Sequence, residues 1–373
     1  MRAAIPFLLL TSLAACGGSP REMGSVGEVA NRGPGVWQQV EPAPLSLTLE
    51  QVFGDDDSDQ RGLLSGAFNV AVDDQGNLYV LNLFEGRLVA FAPDGSVRWE
   101  VEAPGQGPGE IHNPDQVIFD HLRRELGFSN QSAARIDRFD TDGRHIGSIP
   151  LESAGIGRGN LVGVTDSGIL VLSQALRNGS AGARIVLIQE GAAADSFSVD
   201  VTEGMAVPSG LAVPPRVAVS GPEIVIKHLA RYAYSFHSTE GTRRLTVSRD
   251  VPYQPPVIRE IEGGVQMTNW TRQYGPLPLP DGRWLGGGLW PIDMGDPQAH
   301  MALRDQGLAP ELTFAHTMDL FASDGTLLYS LESESLEALD IQSVLAVDVH
   351  GRLYARLASG PLVGRFVVEA NNP

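Results

Sequence analysis

From residue 45 the chain alternates between apolar and polar positions. Leu45-Ser-Leu-Thr-Leu49 puts an apolar side chain at every second place, the period of a strand with one buried face. The next ordered stretch is denser. Phe68-Asn-Val-Ala-Val-Asp73 leads through a turn at Asp74-Gln-Gly76 to Leu78-Tyr-Val80. A loop at Asn82 to Gly86 leads to Arg87-Leu-Val-Ala-Phe91, and a Pro93-Asp94-Gly95 turn leads to Val97-Arg-Trp-Glu-Val101. Short apolar runs joined by Asp-Gly and Gly-containing turns predict four antiparallel strands in a meander.

The unit recurs roughly every 45 to 65 residues, the repeat length of propeller blades. A second unit runs from Gln116 to Leu151, a third from Leu161 to Val201 and a fourth from Arg216 to Val251. A fifth runs from Pro276 to Leu331 and a sixth from Val344 to Glu369. The sixth has three strands only, while Leu45 to Gln51 is a strand without a unit. A ring cannot close with an open sheet edge, because unpaired strand edges recruit other chains. The N-terminal strand is therefore expected to complete the last unit. The predicted fold class is all-β: a six-bladed β-propeller with four antiparallel strands per blade.

The first residues are of another kind. Arg2 precedes an apolar run from Ile5 to Leu13, and Ala14-Ala15-Cys16 follows. That order is a signal peptide's, and the run is shorter than the ~20 residues a membrane span takes. Leu13-Ala-Ala-Cys16 resembles the lipobox of bacterial lipoproteins. The resemblance implies cleavage before Cys16, the chain's only cysteine, and a lipid on its sulfur. Three regions are expected: a signal peptide at 1–15, a lipidated flexible tether at 16–43 rich in Gly, Ser and Pro, and the propeller at 44–373. Gly17 stands where such lipoproteins carry aspartate for inner-membrane retention, which leans toward the outer membrane of a Gram-negative cell.

A second resemblance lies in the repeats. Val70-Ala-Val-Asp-Asp-Gln-Gly-Asn-Leu-Tyr-Val80 with Arg87-Leu-Val-Ala-Phe-Ala-Pro-Asp-Gly95 is similar to an NHL repeat, and Val347-Asp-Val-His-Gly-Arg-Leu-Tyr354 echoes it. Gly105-Gln-Gly-Pro-Gly-Glu110 with Asn113-Pro114 is similar to a segment of exported bacterial six-bladed propeller lipoproteins, most of which have no assigned activity.

Charge narrows the partners. With 45 acidic against 27 basic residues the net charge is −18, which argues against nucleic acid. Candidate chemistry is sparse. Gly105 to Glu110 lacks the Lys-Ser/Thr of a phosphate loop and reads as a crossing between blades. Asp55-Asp-Asp-Ser-Asp59 alternates carboxylates but has Gln60 and Gly66 where a calcium loop needs Gly and Glu. No clustered histidines signal zinc; His228 and His300 are the nearest metal candidates. No cofactor is expected, and calcium or zinc is not signalled. The basic residues are more informative. Arg87, Arg135, Arg177, Lys227, His228, Arg231 and Arg356 fall near loops that a propeller brings to one face, although chance placement and packing over apolar surface account for such a set more readily than a shared site does. The long insertion between Leu285 and Thr313 is expected to overhang the channel mouth with Trp290, as an anchor or lid or packed locally. The expected ligand set is Arg135, Arg177, Lys227, His228, Trp290 and Arg356, binding an anionic small molecule or an acidic peptide. Three functions follow: an envelope binding module, non-catalytic, for a ligand or an envelope protein partner; a metal-dependent propeller lyase or lactonase; a structural subunit of an envelope complex.

Overall fold

The computed structural model describes residues 27–54, 64, 68–157, 159–177, 180–189, 191–199, 216–220, 223–261 and 264–371. Cys16 and the Asp55 to Asp59 loop lie outside the described residues. Six four-stranded antiparallel units follow one another, as the repeat predicts. Blades 1 to 5 span 68–102, 114–150, 159–199, 216–249 and 272–331. Blade 6 takes three strands from 341–370, and Leu45–Phe53 pairs antiparallel with its strand Val363–Ala370 as the fourth. The N-terminal strand thus closes the ring. Arg365 fastens the join, its Nε 2.8 Å from Glu50 Oε2 on the closing strand and one terminal nitrogen 2.9 Å from Pro93 O of blade 1.

Alternation along the strands builds six cores, one between each pair of adjacent blades. Phe53, Val70, Val72 and Tyr354 pack between blades 6 and 1. Ala71 and Tyr79, pointing the other way, join Val117 and Phe119 between blades 1 and 2. A strand buried on both faces needs apolar side chains at successive positions, which explains the near-continuous runs. The NHL-like motif also has a physical reason. The Asp73 carboxylate accepts the backbone N–H groups of Gln75 and Asn77 and the Tyr79 hydroxyl at 2.9 Å, folding its own turn. Asp348 does the same with His350 N, Arg352 N and Tyr354.

In each blade the turns between first and second strands, and between third and fourth, lie on one face (the turn face). The second-to-third loops and the blade-to-blade crossings lie on the other (the crossing face).

Three features depart from the sequence reading. Residues 27–43, expected as tether, begin with a strand. Gly27–Asn31 pairs parallel with Arg243–Arg249, the outer strand of blade 4. The chain then runs along the outer strand of blade 5, Trp37 N donating to Leu328 O at 2.8 Å. Contact is so close at Gly35 that a Cβ there would come within 2.4 Å of Leu328 O. A hairpin, Val257–Ile261 with Gly264–Thr268, lies in the connection from blade 4 to blade 5, with Ile258 packed against the core between blades 3 and 4. The blade 5 insertion is shorter than expected, because its second strand continues to Pro291 and its third begins at Phe314. The rest carries helix α1, Pro297–Asp305, whose first turn is capped by Asp296.

Candidate binding site in the channel

The innermost strand of each blade lines a central cavity of about 740 Å³. These strands are Phe68–Val72, Pro114–Asp120, Gly159–Thr165, Arg216–Ser220, Arg272–Pro278 and Ile341–Val347. Each is the terminal strand of its sheet and pairs along one edge only. Its second edge faces the axis, and so consecutive rather than alternate residues line the wall: Asn69 to Val72, Gln116 to Phe119, Val344 to Val349. Unpaired backbone N–H and C=O groups must be satisfied by water or by a ligand. The cavity is therefore a hydrogen-bonding one, although valine dominates its sequence.

Chemistry differs between the ends. At the crossing face the wall carries Asn69, Gln116 and Lys227. Lys227 ends the second strand of blade 4, is half-buried, and is the one Lys or Arg among the described lining residues. At the turn face the lining includes His121 and Asp348. Here three blades meet on Asp74. Its carboxylate takes Nδ1 of His121 and, at 3.4 Å, a terminal nitrogen of Arg124, while its carbonyl oxygen lies 3.2 Å from Nε2 of His350. Phe119 stands edge-on to the His121 ring at 4.9 Å and fixes its plane. Sequence reasoning missed this end, because the turn residues that converge there are far apart in the chain.

Of the expected ligand set, only Lys227 is among the described lining residues. Arg135 is spent on structure. Its Nε lies 2.8 Å from both oxygens of the fully buried Asp137, and its terminal nitrogens donate to the carbonyls of Gln106, Gly107 and Glu110. The arginine thereby shapes the Gly105 to Glu110 crossing, as expected of that segment. His228 is buried, with Nε2 hydrogen-bonded to Ser235 Oγ. Trp290 is no lid: it is 2% exposed, in the second strand of blade 5, edge-on to Tyr232 between blades 4 and 5. Arg356 is half-buried in the second strand of blade 6, paired with Ser343 and Val363. The backbone of Arg177 pairs with Ser180 in blade 3. His300 is buried in α1 against Trp270 at 5.1 Å. Among the described residues no group of three or more His, Cys, Asp or Glu side chains is placed to hold a metal ion.

A second polar cluster is buried between blades 4 and 5. Asp319, fully buried, accepts from the Tyr232 hydroxyl at 2.8 Å, from Ser330 Oγ and from the Arg249 guanidinium. Burial, then the Asp319 charge, pushes the Tyr232 hydroxyl well above its ordinary range. Tyr274, which lines the cavity, crosses its own sheet to donate to Thr317 O. Gly287 permits the crossing, since a Cβ there would meet Thr317 O at 2.2 Å. The Asp319 carboxylate is met from within the fold, and the cluster reads as a clamp.

No family model matches this chain, and no curated protein matches it. Solved structures do. A protein described as exported, from Bacteroides fragilis, superposes with a TM-score of 0.54 at 10% identity, over 88% of this chain and 88% of its own. A member of the DUF4221 family from Bacteroides vulgatus superposes with a TM-score of 0.51 at 10% identity, over 87% of this chain and 99% of its own. At these identities the likeness speaks for the propeller fold alone.

Proposed function

We propose that this chain is an exported, lipid-anchored propeller that holds a small anionic ligand at the Lys227 end of its channel. One observation carries the reading: a cavity of about 740 Å³, walled by unpaired strand edges, with Lys227 as the one Lys or Arg among its described lining residues. Backbone N–H groups and an ammonium are complementary to carboxylate or phosphate oxygens, and charged hydrogen bonds are the stronger kind. The cavity volume fits a small molecule. The lipobox residues at Leu13 to Cys16 support export and anchoring. A metal-dependent lyase or lactonase would need converging ligands that the described residues do not offer.

Thermal-shift and calorimetric titration against a panel of small carboxylates and phosphate esters tests the proposal. A ligand that binds the folded state raises its apparent stability. Lys227→Ala should weaken binding by about 1.5–3 kcal/mol, the usual worth of a charged hydrogen bond, measured as the ligand-induced shift from the variant's own ligand-free melting temperature. Anion binding that ignores Lys227→Ala, or a panel without a binder, would sink the reading.

A further inference from the structure

We propose that the ligand held at the Lys227 end of the channel is a sugar acid, with one carboxylate for Lys227 and hydroxyls for the carboxamides and strand edges around it. The inference rests on the anion-binding reading above and adds a ligand class to it.

The strand edges are the first observation. In an antiparallel strand, alternate residues turn both of their backbone groups to the same side. Asp73 N donates to Asn77 O at 3.1 Å within the sheet, so the neighbouring Val72 turns its N–H and its C=O toward the axis. Val347, before Asp348 in blade 6, is placed alike. Each such residue offers one donor and one acceptor. Blade 5 offers less. Leu279 N donates to Arg283 O at 2.8 Å, and so Pro278 is the residue that faces the axis, with a carbonyl and no N–H. Pro276 also lines the cavity and brings no donor either. Acceptors therefore outnumber donors among these backbone groups. A bare anion or an alkyl chain leaves the carbonyls unanswered, at a cost in free energy. Hydroxyls answer both kinds of group.

Charge is the second observation. Among the described lining residues Lys227 is the one Lys or Arg, and Asp348 the one Asp or Glu. Asp348 lies at the other end and already accepts from His350 N, Arg352 N and Arg352 Nε. A ligand ammonium meets no open carboxylate among these residues, which disfavours amino acids. A phosphate monoester brings about −1.5 to −2 charges at pH 7 to a single ammonium. A carboxylate matches it one to one.

The third observation is a set of amides at the Lys227 end. Asn69 of blade 1 and Gln116 of blade 2 line the cavity, half-buried, and neither side chain has a hydrogen-bond partner among the described residues. Gln273 of blade 5 stands near the same strand end. Its Nε2 donates to Ala233 O at 3.1 Å, the carbonyl that also takes the N–H of His228, the residue after Lys227. Its Oε1 is buried without a partner. A buried acceptor in that position calls for a donor, which a ligand hydroxyl or a bridging water supplies. A carboxamide donates through nitrogen and accepts through oxygen, so it pairs reciprocally with a hydroxyl and one-sidedly with a carboxylate. Lys227 thus fixes the charged end of the ligand, and the amides of Asn69 and Gln116 meet its hydroxyls.

Calorimetric titration of the full chain with matched probes tests the proposal. Glucuronate, galacturonate and mannuronate carry a carboxylate and hydroxyls on one ring. Cyclohexanecarboxylate keeps the ring and the charge without hydroxyls, and glucose keeps the hydroxyls without the charge. At least one uronate should bind about tenfold more tightly than either control, the worth of one or two net hydrogen bonds. Asn69→Ala and Gln116→Ala should each weaken that uronate about three- to tenfold and leave cyclohexanecarboxylate unchanged. Lys227→Ala should weaken both carboxylates. A control that binds as tightly as every uronate overturns the ligand class, and so does a uronate whose affinity ignores both carboxamide variants. The comparison of probes on the unaltered chain needs no variant to fold. The two failures separate. Carboxylates that bind without preference but weaken in Lys227→Ala overturn the sugar acid alone. Carboxylate binding that ignores Lys227→Ala, or no carboxylate binding, overturns the anion site and the ligand class with it.

Discussion

At the scale of single residues, the polar groups divide by whether the fold has already used them. Arg135 looked like a ligand because an arginine near a loop has the right chemistry for anions. Its five donors are instead the means by which Asp137 and three carbonyls of the crossing are held, a geometry that a fixed fork suits. Sequence shows the guanidinium but not what stands opposite it, and so does not separate Arg135 from Lys227, which lines the cavity. His316 presents the opposite case. It lies in the third strand of blade 5, is 6% exposed, and its Nε2 has no hydrogen-bond partner. Burial alone lowers its pKa to about 4 from 6.5. The unfolded chain then takes up a proton below pH 6.5 that the folded chain refuses until about pH 4. The full contribution to stability is present above pH 6.5 and is lost as pH falls toward 4. That shift is worth up to about 3 kcal/mol. Urea unfolding at pH 7, 6 and 5 should show this fall, and His316→Leu should flatten it. Parallel pH profiles for both proteins would show that the imidazole is not the group responsible.

Elements were legible where local pattern alone determines them. The four strands of blade 1 are legible almost to the residue, because Asp73 and the Pro93-Asp94-Gly95 turn punctuate them and apolar runs fill the gaps. Blade 6 was legible through Asp348 for the same reason. The strand at Gly27–Asn31 was not. GEVAN has two apolar residues and its burial alternates between half-buried and exposed, so it carries almost no hydrophobic signal. Its pairing is parallel and joins residues more than 200 positions apart, and the interaction is mostly backbone. Helix α1 was hidden likewise inside what read as a loop, because only His300 and Met301 of its nine residues are buried. This bears on truncation. Removing residues through 26 should leave the melting transition in place. Removing through 40 should cost about 2–4 kcal/mol, from several hydrogen bonds at roughly 1 kcal/mol each. Removal through 53 should expose the edge at Val363–Ala370 and cause aggregation, since the closing strand goes with it. Chemical denaturation and light scattering on the three truncations check this order. If the 26 and 40 truncations unfold alike, the segment from Gly27 contributes nothing to the fold.

For the whole molecule, closure decides how the parts share stability. The chain repeats, and an open array of repeats would unfold piecemeal, each unit held only by its neighbours. Here the inner strands touch in a ring, blade 6 against blade 1 as well as each blade against the next. Six inter-blade cores follow, and no blade can leave without exposing two of them. The Asp319 clamp between blades 4 and 5 and the Arg365 join between blades 6 and 1 therefore belong to one cooperative unit. Asp319→Asn leaves Arg249 facing a neutral amide inside that interface, where its guanidinium side chain is only 10% exposed. Breaking a buried pair in this way costs about 3–5 kcal/mol. Phe53→Ala, on the closing strand, removes a fully buried ring from the core between blades 6 and 1 and should cost a similar ~3–5 kcal/mol. In a closed ring both substitutions lower the same single transition, and calorimetric and van't Hoff enthalpies stay equal in each variant. In a chain of independent blades, Asp319→Asn would split off an early transition for blades 4 and 5 and leave a later one near the wild-type temperature. Two resolved transitions in scanning calorimetry would mean that the ring is closed in shape but not in energy.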